Sequence, residues 1–513
     1  MNGTRVSAFL KLSKRDLKYD LPASIVVFLV ALPLCLGIAL ASGAPLFAGL
    51  LTGVIGGIVV ASISKSPLSV SGPAAGLTVI VLGAIQQLGA YETFLLAVVI
   101  AGVVQLILGI LKAGLIGNYF PSAVILGMLT AIGITIIIKQ IPLAFGLTEP
   151  HAFEMDNGGG LNAFTDTIIS SINVGATIIC FLSLAVLIYW PRLKGLSKIP
   201  APLVVVLIGI GLTFAFQSTP WALNPDHLVS IPIVSSFSEF TGLFIFPDFT
   251  QILNKEVWIV GVTIAIVASL ETLLSIEAVD KIDPFKRNTP TNRELVAQGI
   301  GNMSSGFLGG LPMTSVIVRS SANVNAGGRT RQSAILHGIW LLVALLAIPT
   351  AINLIPLSCL AAILLHTGYK LAKPAIFKSM YVKGLDQFIP FTVTVLAVVV
   401  TDLLTGVGIG IVVSMFYILR ANMKNAFKFD VSKDSDDKNR ATLTLAEEVS
   451  FLNKVPIQQK LYNLPKSIDS ILIDGQFSKF IDKDVIEVIK DFEKNALSKG
   501  LEIELNDVSY KKG

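Results

Sequence analysis

The chain has 513 residues, of which 53% are hydrophobic and 14% charged, and its formal net charge is +5. A mean hydropathy of +0.74 and repeated apolar runs of about twenty residues are typical of a polytopic α-helical membrane protein, and they exclude a secreted or cytosolic globule. The positive charge does not indicate nucleic-acid binding, because the basic residues lie in short loops beside the apolar runs, where membrane topology accounts for them.

The apolar runs predict a series of membrane spans. The first run follows residues 1–19, which contain five basic residues. It has no clear cleavage site, so we interpret it as a span and not as a signal peptide. The predicted spans lie near residues 22–41, 46–63, 74–88, 93–113, 120–139, 170–190, 200–217, 257–279, 294–310, 313–325, 332–352, 355–369, 387–403 and 406–424.

Charge between the runs predicts the orientation. If residues 1–19 are cytoplasmic and every run crosses the membrane, the basic loops all fall on the cytoplasmic side. The two longest outer loops, 140–169 and 218–254, contain acids but no Lys or Arg. This agreement favours about fourteen crossings, with both termini cytoplasmic. We therefore expect a multi-pass protein of the inner (plasma) membrane, in contact with lipid.

Several kinds of chemistry find no support in the sequence. Cys35, Cys180 and Cys359 lie far apart inside predicted spans, so neither a disulfide framework nor a zinc site is indicated. The four histidines have no metal-ligand spacing. Because no nucleophile with a nearby base and no phosphate-binding loop is found either, we expect neither an enzyme nor a cofactor.

Two short runs, the third (74–88) and the tenth (313–325), open with similar Gly- and Pro-containing sequences. Paired interrupted segments indicate a midplane site between inverted repeats, here about 20–217 and 255–425. Half-helices that begin there direct free N–H groups and positive dipole ends at one point, which favours an anion. The alternative is that Gly and Pro are simply common in membrane helices. The candidate substrate-binding residues at the two starts are Gly72, Pro73, Ala74, Ala75, Pro312, Met313, Thr314 and Ser315.

Glu271 places a carboxylate inside the apolar run 257–279. A charge at that depth costs several kcal/mol and is by default a functional-site hypothesis. Ser275 lies one helical turn further on, on the same face.

The composition changes after residue 425. Residues 426–440 form a charged segment that we interpret as a linker, and residues 441–513 a small soluble α/β domain, near the lower size limit for independent folding. Alternation predicts strands at 441–445, 470–474 and 501–505, and apolar spacing predicts a helix across 485–496.

Several short motifs are distributed along essentially the whole chain. They are Asp20-Leu21-Pro22-Ala23, Leu32-Pro33, residues 71–75, Ser269-Leu270-Glu271, residues 302–310 with Pro312-Met313-Thr314, residues 325–330 and residues 401–407. Together these motifs resemble those of the SulP (sulfate-permease-like) family of inorganic anion transporters. That resemblance implies an all-α membrane domain of two intertwined 7+7 inverted repeats over residues 20–425, forming a core and a gate domain. It further implies that residues 441–513 are a short cytoplasmic STAS-like domain, and that the protein is a homodimer.

The resemblance also bears on the substrate. Arg319 is similar to a basic residue that many members place beside the anion; the alternative is an arginine that reaches the cytoplasmic face. Cys35 would line the pocket as a weak donor, or pack as an apolar residue. Leu34 and Ile38 stand where many sulfate-transporting members carry Gln and Tyr. Fewer donors suit a dianion less well, and spans one, three and eight resemble a bacterial bicarbonate-associated subgroup.

Glu271 is then expected to couple the anion to a cation. Protonated, or paired with Na⁺ with help from the Ser275 hydroxyl, it is neutral and tolerates an anion, whereas the bare carboxylate repels one. Which of the two ions drives transport stays open. The alternative is a permanent structural pair between Glu271 and Arg319.

We therefore expect a secondary active transporter of bicarbonate that works by alternating access. One alternative is a symporter or exchanger of sulfate, another oxyanion or a dicarboxylate. A second is an uncoupled anion channel, against which Glu271 argues because a pore needs no titrating group. A third is a nucleobase transporter, which Arg319 disfavours.

Overall fold

The computed structural model of the chain describes residues 14–114, 121–147, 172–193, 199–234, 237–401, 403–424, 426–433, 439–465, 467–497 and 500–509. The chain divides into two compact units, one of residues 1–379 with 394–407 and the other of residues 380–393 with 408–513.

Helices lie at the position of every predicted span, and most of their ends fall within a few residues of the prediction. Among the described residues, seven helices are long and apolar enough to cross a membrane. The helices are α1 (Lys14–Ala41), α2 (Leu46–Ile63), α3 (Thr78–Leu88), α4 (Tyr91–Ile110), α5 (Ser122–Ala144), α6 (Val174–Tyr189), α7 (Ala201–Phe216), α8 (Phe237–Gly242), α9 (Lys255–Ile282), α10 (Thr291–Leu308), α11 (Ile317–Asn325), α12 (Gln332–Ala347), α13 (Pro349–Ile352), α14 (Leu357–Leu371), α15 (Pro374–Val382), α16 (Leu385–Val400) and α17 (Leu403–Lys424).

Helices α4 and α10 form the most extensive helix pair of the first unit, and glycines allow them to touch. A Cβ atom at Gly102 would lie 2.5 Å from the backbone nitrogen of Met303, and one at Gly299 would lie 2.6 Å from that of Leu106. Membrane helices gain little from hydrophobic burial against each other, so close backbone approach at small residues supplies much of their packing energy. Helix α10 of this close-packed pair also carries side chains that bond to the segments following α2 and α10.

A second group of helices, α5, α6, α7 and α14, packs around buried aliphatic and cysteine side chains. Cys180 and Cys359 are fully buried and not disulfide-bonded. They share this cluster with Leu34 from α1, Val205 from α7 and Ile363 from α14. Cys180 packs here as a small apolar residue, whereas the Cys359 thiol also donates a weak hydrogen bond to the Val205 carbonyl at 3.6 Å.

Strands β1 (Ser71–Pro73) and β2 (Met313–Ser315) belong to the first unit. The second unit contains strands β3 (Phe427–Lys433), β4 (Asn439–Leu445), β6 (Ser470–Asp474) and β8 (Glu502–Asn506), with two-residue strands β5 (Glu448–Val449) and β7 (Phe480–Ile481) and helices α18 (Lys454–Tyr462) and α19 (Lys483–Leu497). The predicted strands and helix are present. Four of the strands form one sheet in the order β3-β4-β6-β8. Strands β4, β6 and β8 are parallel, and β3 pairs antiparallel with β4.

The linker prediction for residues 426–440 needs correction, because residues 427–433 form strand β3. Phe427 and Phe429 alternate with Lys428 and Asp430, and both aromatic rings pack on the sheet core while the charged side chains point away. The charges suggested a linker because a strand with one solvated face carries as many polar residues as a linker does. The charged residues 434–438 lie outside the described part of the chain.

Candidate functional site

Two three-residue strands cross in the interior of the first unit. Strand β1 (Ser71–Pro73) follows α2, and strand β2 (Met313–Ser315) follows α10. They pair antiparallel, with Ser71 opposite Ser315 and Pro73 opposite Met313. A 3₁₀ turn (Ala75–Leu77) leads from β1 into α3, and α11 begins two residues after β2. The two helices therefore start beside this crossing, where their first N–H groups lack partners within the helix.

Polar side chains of neighbouring helices hold the crossing in place. The Asn302 amide on α10 accepts a hydrogen bond from the Met313 N–H at 2.7 Å and donates one to the Met313 carbonyl at 3.1 Å. Gln298, one turn earlier, donates to the Ser71 hydroxyl at 2.7 Å. Thr272 on α9 accepts from the Ser315 N–H at 3.2 Å. These bonds satisfy backbone groups that a short buried strand would otherwise leave unpaired.

Arg319 is fully buried against β1. Its Nη2 donates to the Pro73 carbonyl at 3.2 Å, whereas Nε and Nη1 have no hydrogen-bond partner among the described residues. A side chain at Gly72 would collide with its guanidinium group. The Cys35 thiol and the His337 ring both lie within electrostatic reach of it. A buried cation with unused donors is costly unless an anion completes its shell.

Glu271 reaches the start of the other half-helix. Its carboxylate lies against the Gly76 backbone in the 3₁₀ turn before α3, where the nearby N–H group favours its charged form. A Cβ atom at Gly76 would lie 2.7 Å from either carboxylate oxygen, so a residue other than glycine would push the carboxylate away. The Oε2 atom is buried and has no partner among the described residues. The carboxylate thus occupies a helix N-terminus, which is itself an anion-binding position.

The described contacts do not pair Glu271 with Arg319. Each keeps at least one buried atom without a partner, whereas a bidentate pair would satisfy both groups. The alternative of a permanent structural bridge therefore has no support in the described geometry.

The second half-helix begins later than the sequence suggested. Thr314 and Ser315 were expected to open a helix; they lie in β2, and α11 starts at Ile317. Thr314 donates its hydroxyl proton to the Ser315 carbonyl at 3.2 Å, and the Ser315 hydroxyl shares a 2.5 Å hydrogen bond with that of Ser69. Both hydroxyls therefore serve the crossing, because pairing with β1 keeps this stretch extended.

The other predicted residues have distinct environments. Ala74 is buried, while Ala75 is half-buried at the first position of the 3₁₀ turn. Ser275 is buried on the Glu271 face of α9, but no described hydrogen bond joins the two. Thr272, which the sequence did not single out, contacts the crossing instead. His337 was also missed, since a neutral polar residue in an apolar run carries no signal of what the fold places beside it.

No group of three or more His, Cys, Asp or Glu side chains suited to a metal ion is found in the part of the chain that the structure describes. The Na⁺ ligands expected at Glu271 and Ser275 therefore stay a prediction.

Comparison with known proteins places these features in a family. The model of the "Sulfate permease family" matches residues 17–394. The "Putative sulfate transporter YvdB" of Bacillus subtilis is 30% identical over 78% of this chain and 73% of its own length. The "Bicarbonate transporter BicA" of Picosynechococcus is 28% identical over 85% of this chain and 76% of its own.

Solved structures share the fold. The transmembrane domain of a cyanobacterial BicA aligns with a TM-score of 0.66 at 24% identity, over 77% of this chain and 99% of that one. Murine Slc26a9 in the inward-facing state aligns with a TM-score of 0.76 at 16% identity, over 98% of this chain and 88% of that one.

Proposed function

Because the chain belongs to the sulfate permease family of membrane anion transporters, we propose that it is a secondary active transporter of bicarbonate, coupled to Na⁺ or H⁺ through Glu271. The observation that carries this proposal is the pair of unpartnered opposite charges at one crossing. Arg319 lacks partners at Nε and Nη1, and Glu271 lacks one at Oε2.

The anion binds between the starts of α3 and α11. Arg319 supplies charge-assisted hydrogen bonds from Nε and Nη1, and the helix starts supply N–H groups and the favourable end of the helix dipole. Gly72 leaves room for the Arg319 guanidinium, and the small side chain of Ala75 leaves the start of α3 open to an anion. Larger side chains at these two positions would displace the guanidinium or exclude the anion.

Coupling follows from the position of the Glu271 carboxylate. While ionised, it lies beside the Gly76 N–H and repels an anion that approaches the same helix start. A proton or a Na⁺ ion removes that repulsion, so the cation and the anion bind together more favourably than either does alone. The loaded site then becomes accessible from the other side of the membrane by alternating access.

Bicarbonate is preferred over sulfate because the neutral polar side chains at the crossing are already bonded to it, and the side chains that α1 contributes nearby are apolar. Ile38 is buried in the same cluster as Ala74 and Leu77 at the start of α3, and Leu34 is buried among residues of α5, α6, α7 and α14. A dianion needs more donors than this region offers to replace its hydration, whereas a monoanion needs fewer. The alternative substrate is sulfate, which appears in the name of one relative.

Uptake into proteoliposomes tests this proposal. Labelled bicarbonate and labelled sulfate are offered to the purified full chain, with a Na⁺ gradient and a pH gradient imposed separately. We expect bicarbonate uptake that one of the two gradients accelerates. Sulfate uptake with no bicarbonate competition would overturn the substrate assignment, and uptake indifferent to both gradients would overturn the coupling.

A further inference from the structure

A cavity of about 530 Å³ lies beside the outer halves of α3, α5 and α9. Its wall is mostly aliphatic, with a few hydroxyl and amide groups and one basic side chain. The residues of helices α3, α5 and α9 that line it are Val79, Ile80, Gly83, Ala84, Gln87, Thr135, Lys139, Ile259, Val260 and Thr263, and the end of α16 and the start of α17 complete it.

Along α9, the cavity lies on the predicted outer side of the Glu271 carboxylate. Val260 and Thr263 share a face of α9 with Val267 and Glu271, because these positions recur every three to four residues. Thr263 precedes Glu271 by about two helical turns, or about 12 Å along the axis. The buried Val267 lies between them. On α3 the lining begins at Val79, about one turn after Gly76, which lies against the Glu271 carboxylate. The cavity is therefore aligned with the crossing along two helices.

Lys139 is the basic side chain in this cavity. It is solvent-accessible, and no ion pair or hydrogen bond joins it to any described residue. The carboxylate of Glu256 accepts a hydrogen bond from Gln87 at 2.6 Å instead. At the predicted outer ends of the spans and in the outer loops, the sequence contains only two basic residues, Lys139 and Lys255. An anion that approaches from the predicted outer side therefore meets one cation in the cavity wall, in a region otherwise rich in acids.

The neighbouring hydroxyls add little to this positive charge. Thr135 donates to the Ala131 carbonyl at 3.0 Å, and Thr263 donates to the Ile259 carbonyl at 2.7 Å. Their protons are already committed to helix carbonyls, so Lys139 is the main free donor toward a ligand. A single accessible ammonium group binds an anion weakly and releases it readily. That property suits a recruitment site and not a site of tight binding.

We propose that Lys139 forms an outer subsite that recruits the small inorganic anion and delivers it to the crossing. This inference rests on the proposed function, because it assumes that an anion enters from the Lys139 side. The subsite raises the local anion concentration at the mouth of the pathway, so it governs the apparent KM for external anion and leaves the maximal rate unchanged.

The test measures initial uptake from outside into intact cells that express the full chain. We expect Lys139→Gln to raise the apparent KM about fivefold, with kcat unchanged and a weaker dependence of KM on ionic strength. Lys139→Arg should restore most of the wild-type KM. Lys255→Gln is the matched control, since it removes the same charge from the same side at an exposed position that does not line the cavity. Its KM should stay close to that of the wild type.

Three outcomes would overturn the subsite. Equal effects of Lys139→Gln and Lys255→Gln would mean that only net surface charge matters. A lower kcat at unchanged KM would give Lys139 a structural role. An effect that requires anionic lipid in reconstituted vesicles, and vanishes in pure phosphatidylcholine, would assign the ammonium group to a lipid headgroup. Each comparison uses whichever anion the wild-type protein transports. A wrong substrate assignment is therefore detected with the wild-type protein alone, and it does not affect the test of whether Lys139 recruits the anion.

Discussion

Arg319 and Glu271 are opposite charges in the same region that leave each other unpaired. Arg319 keeps two nitrogen atoms and Glu271 one oxygen atom without partners among the described residues. Leaving a buried ion uncompensated costs several kcal/mol. This cost is offset only if a mobile anion binds Arg319 and a mobile cation binds Glu271 during transport.

Replacement of Glu271 by Gln tests the cation side. We expect Glu271→Gln to keep anion binding but lose its dependence on the coupling cation, because the amide resembles the neutral carboxyl group and cannot titrate. Uptake in proteoliposomes at several pH values and Na⁺ concentrations measures this. Glu277→Gln is the control on the same helix, since Glu277 is exposed and pairs with Lys281. Gradient-driven uptake that persists in Glu271→Gln would remove Glu271 from the coupling step.

Replacement of Arg319 tests the anion side. We expect Arg319→Ala to weaken anion affinity by about 1–3 kcal/mol, the scale of charge-assisted hydrogen bonds. Arg319→Lys should recover only part of this loss, because an ammonium group keeps the charge but not the planar fork. Titration of the purified variants with bicarbonate measures the affinities, with the exposed Arg192→Ala as the control. Wild-type affinity in Arg319→Ala would contradict this role.

The charged residues of the site were predictable from the sequence, but their neutral partners were not. Glu271 and Arg319 stand out because ionisable side chains are rare in apolar runs. Thr272, His337 and Asn302 are ordinary residues for a membrane helix, and their roles depend on which segment the fold places beside them. The sequence also could not show that the Ser315 hydroxyl is committed to Ser69, since that contact joins distant parts of the chain.

At the scale of elements, the α4–α10 pair supports the crossing by close packing. We expect Gly102→Leu to lower the melting temperature of the purified protein, at a cost of about 1–3 kcal/mol or more, because the new side chain meets the backbone of α10. Gly211→Ala is the matched control in α7, where an added Cβ meets nothing within 4 Å. It should be neutral or slightly stabilising. Equal melting temperatures for both variants would mean that close packing of α4 against α10 does not contribute to the free energy of unfolding.

Helix positions were largely readable from the sequence, whereas local departures from regular helix and strand patterns were not. Apolar length predicts a span because the bilayer requires it. The π-helical turn Gly56–Val60 within α2 was not predicted. Its first residue must be small, since a Cβ atom at Gly56 would lie 2.5 Å from the Ser71 carbonyl oxygen. Strand β3 was missed because one solvated face made it resemble a linker.

At the scale of the whole molecule, the soluble domain contains no described residue of the proposed transport site. We expect its deletion to lower assembly or regulation without abolishing transport. The cut belongs before Ala426, since removal of residues 441–513 alone would leave β3 without its partner β4. Uptake by the truncated protein, normalised to the amount in the membrane, measures this. A folded truncated protein with no uptake would show that the domain takes part in transport.

The central claim is that the anion binds between the starts of α3 and α11 beside Arg319. Anion-dependent thermal stabilisation of the purified protein tests it most directly, since a ligand that binds the folded state raises its melting temperature. Ala75 is the informative position, because it is half-buried at the α3 start, whereas Ser315 is tied to Ser69. We predict that bicarbonate stabilises the wild type, stabilises Arg319→Ala less, and leaves Ala75→Trp unchanged although that variant folds. If folded Ala75→Trp is stabilised as strongly as the wild type, the anion does not bind between the half-helices.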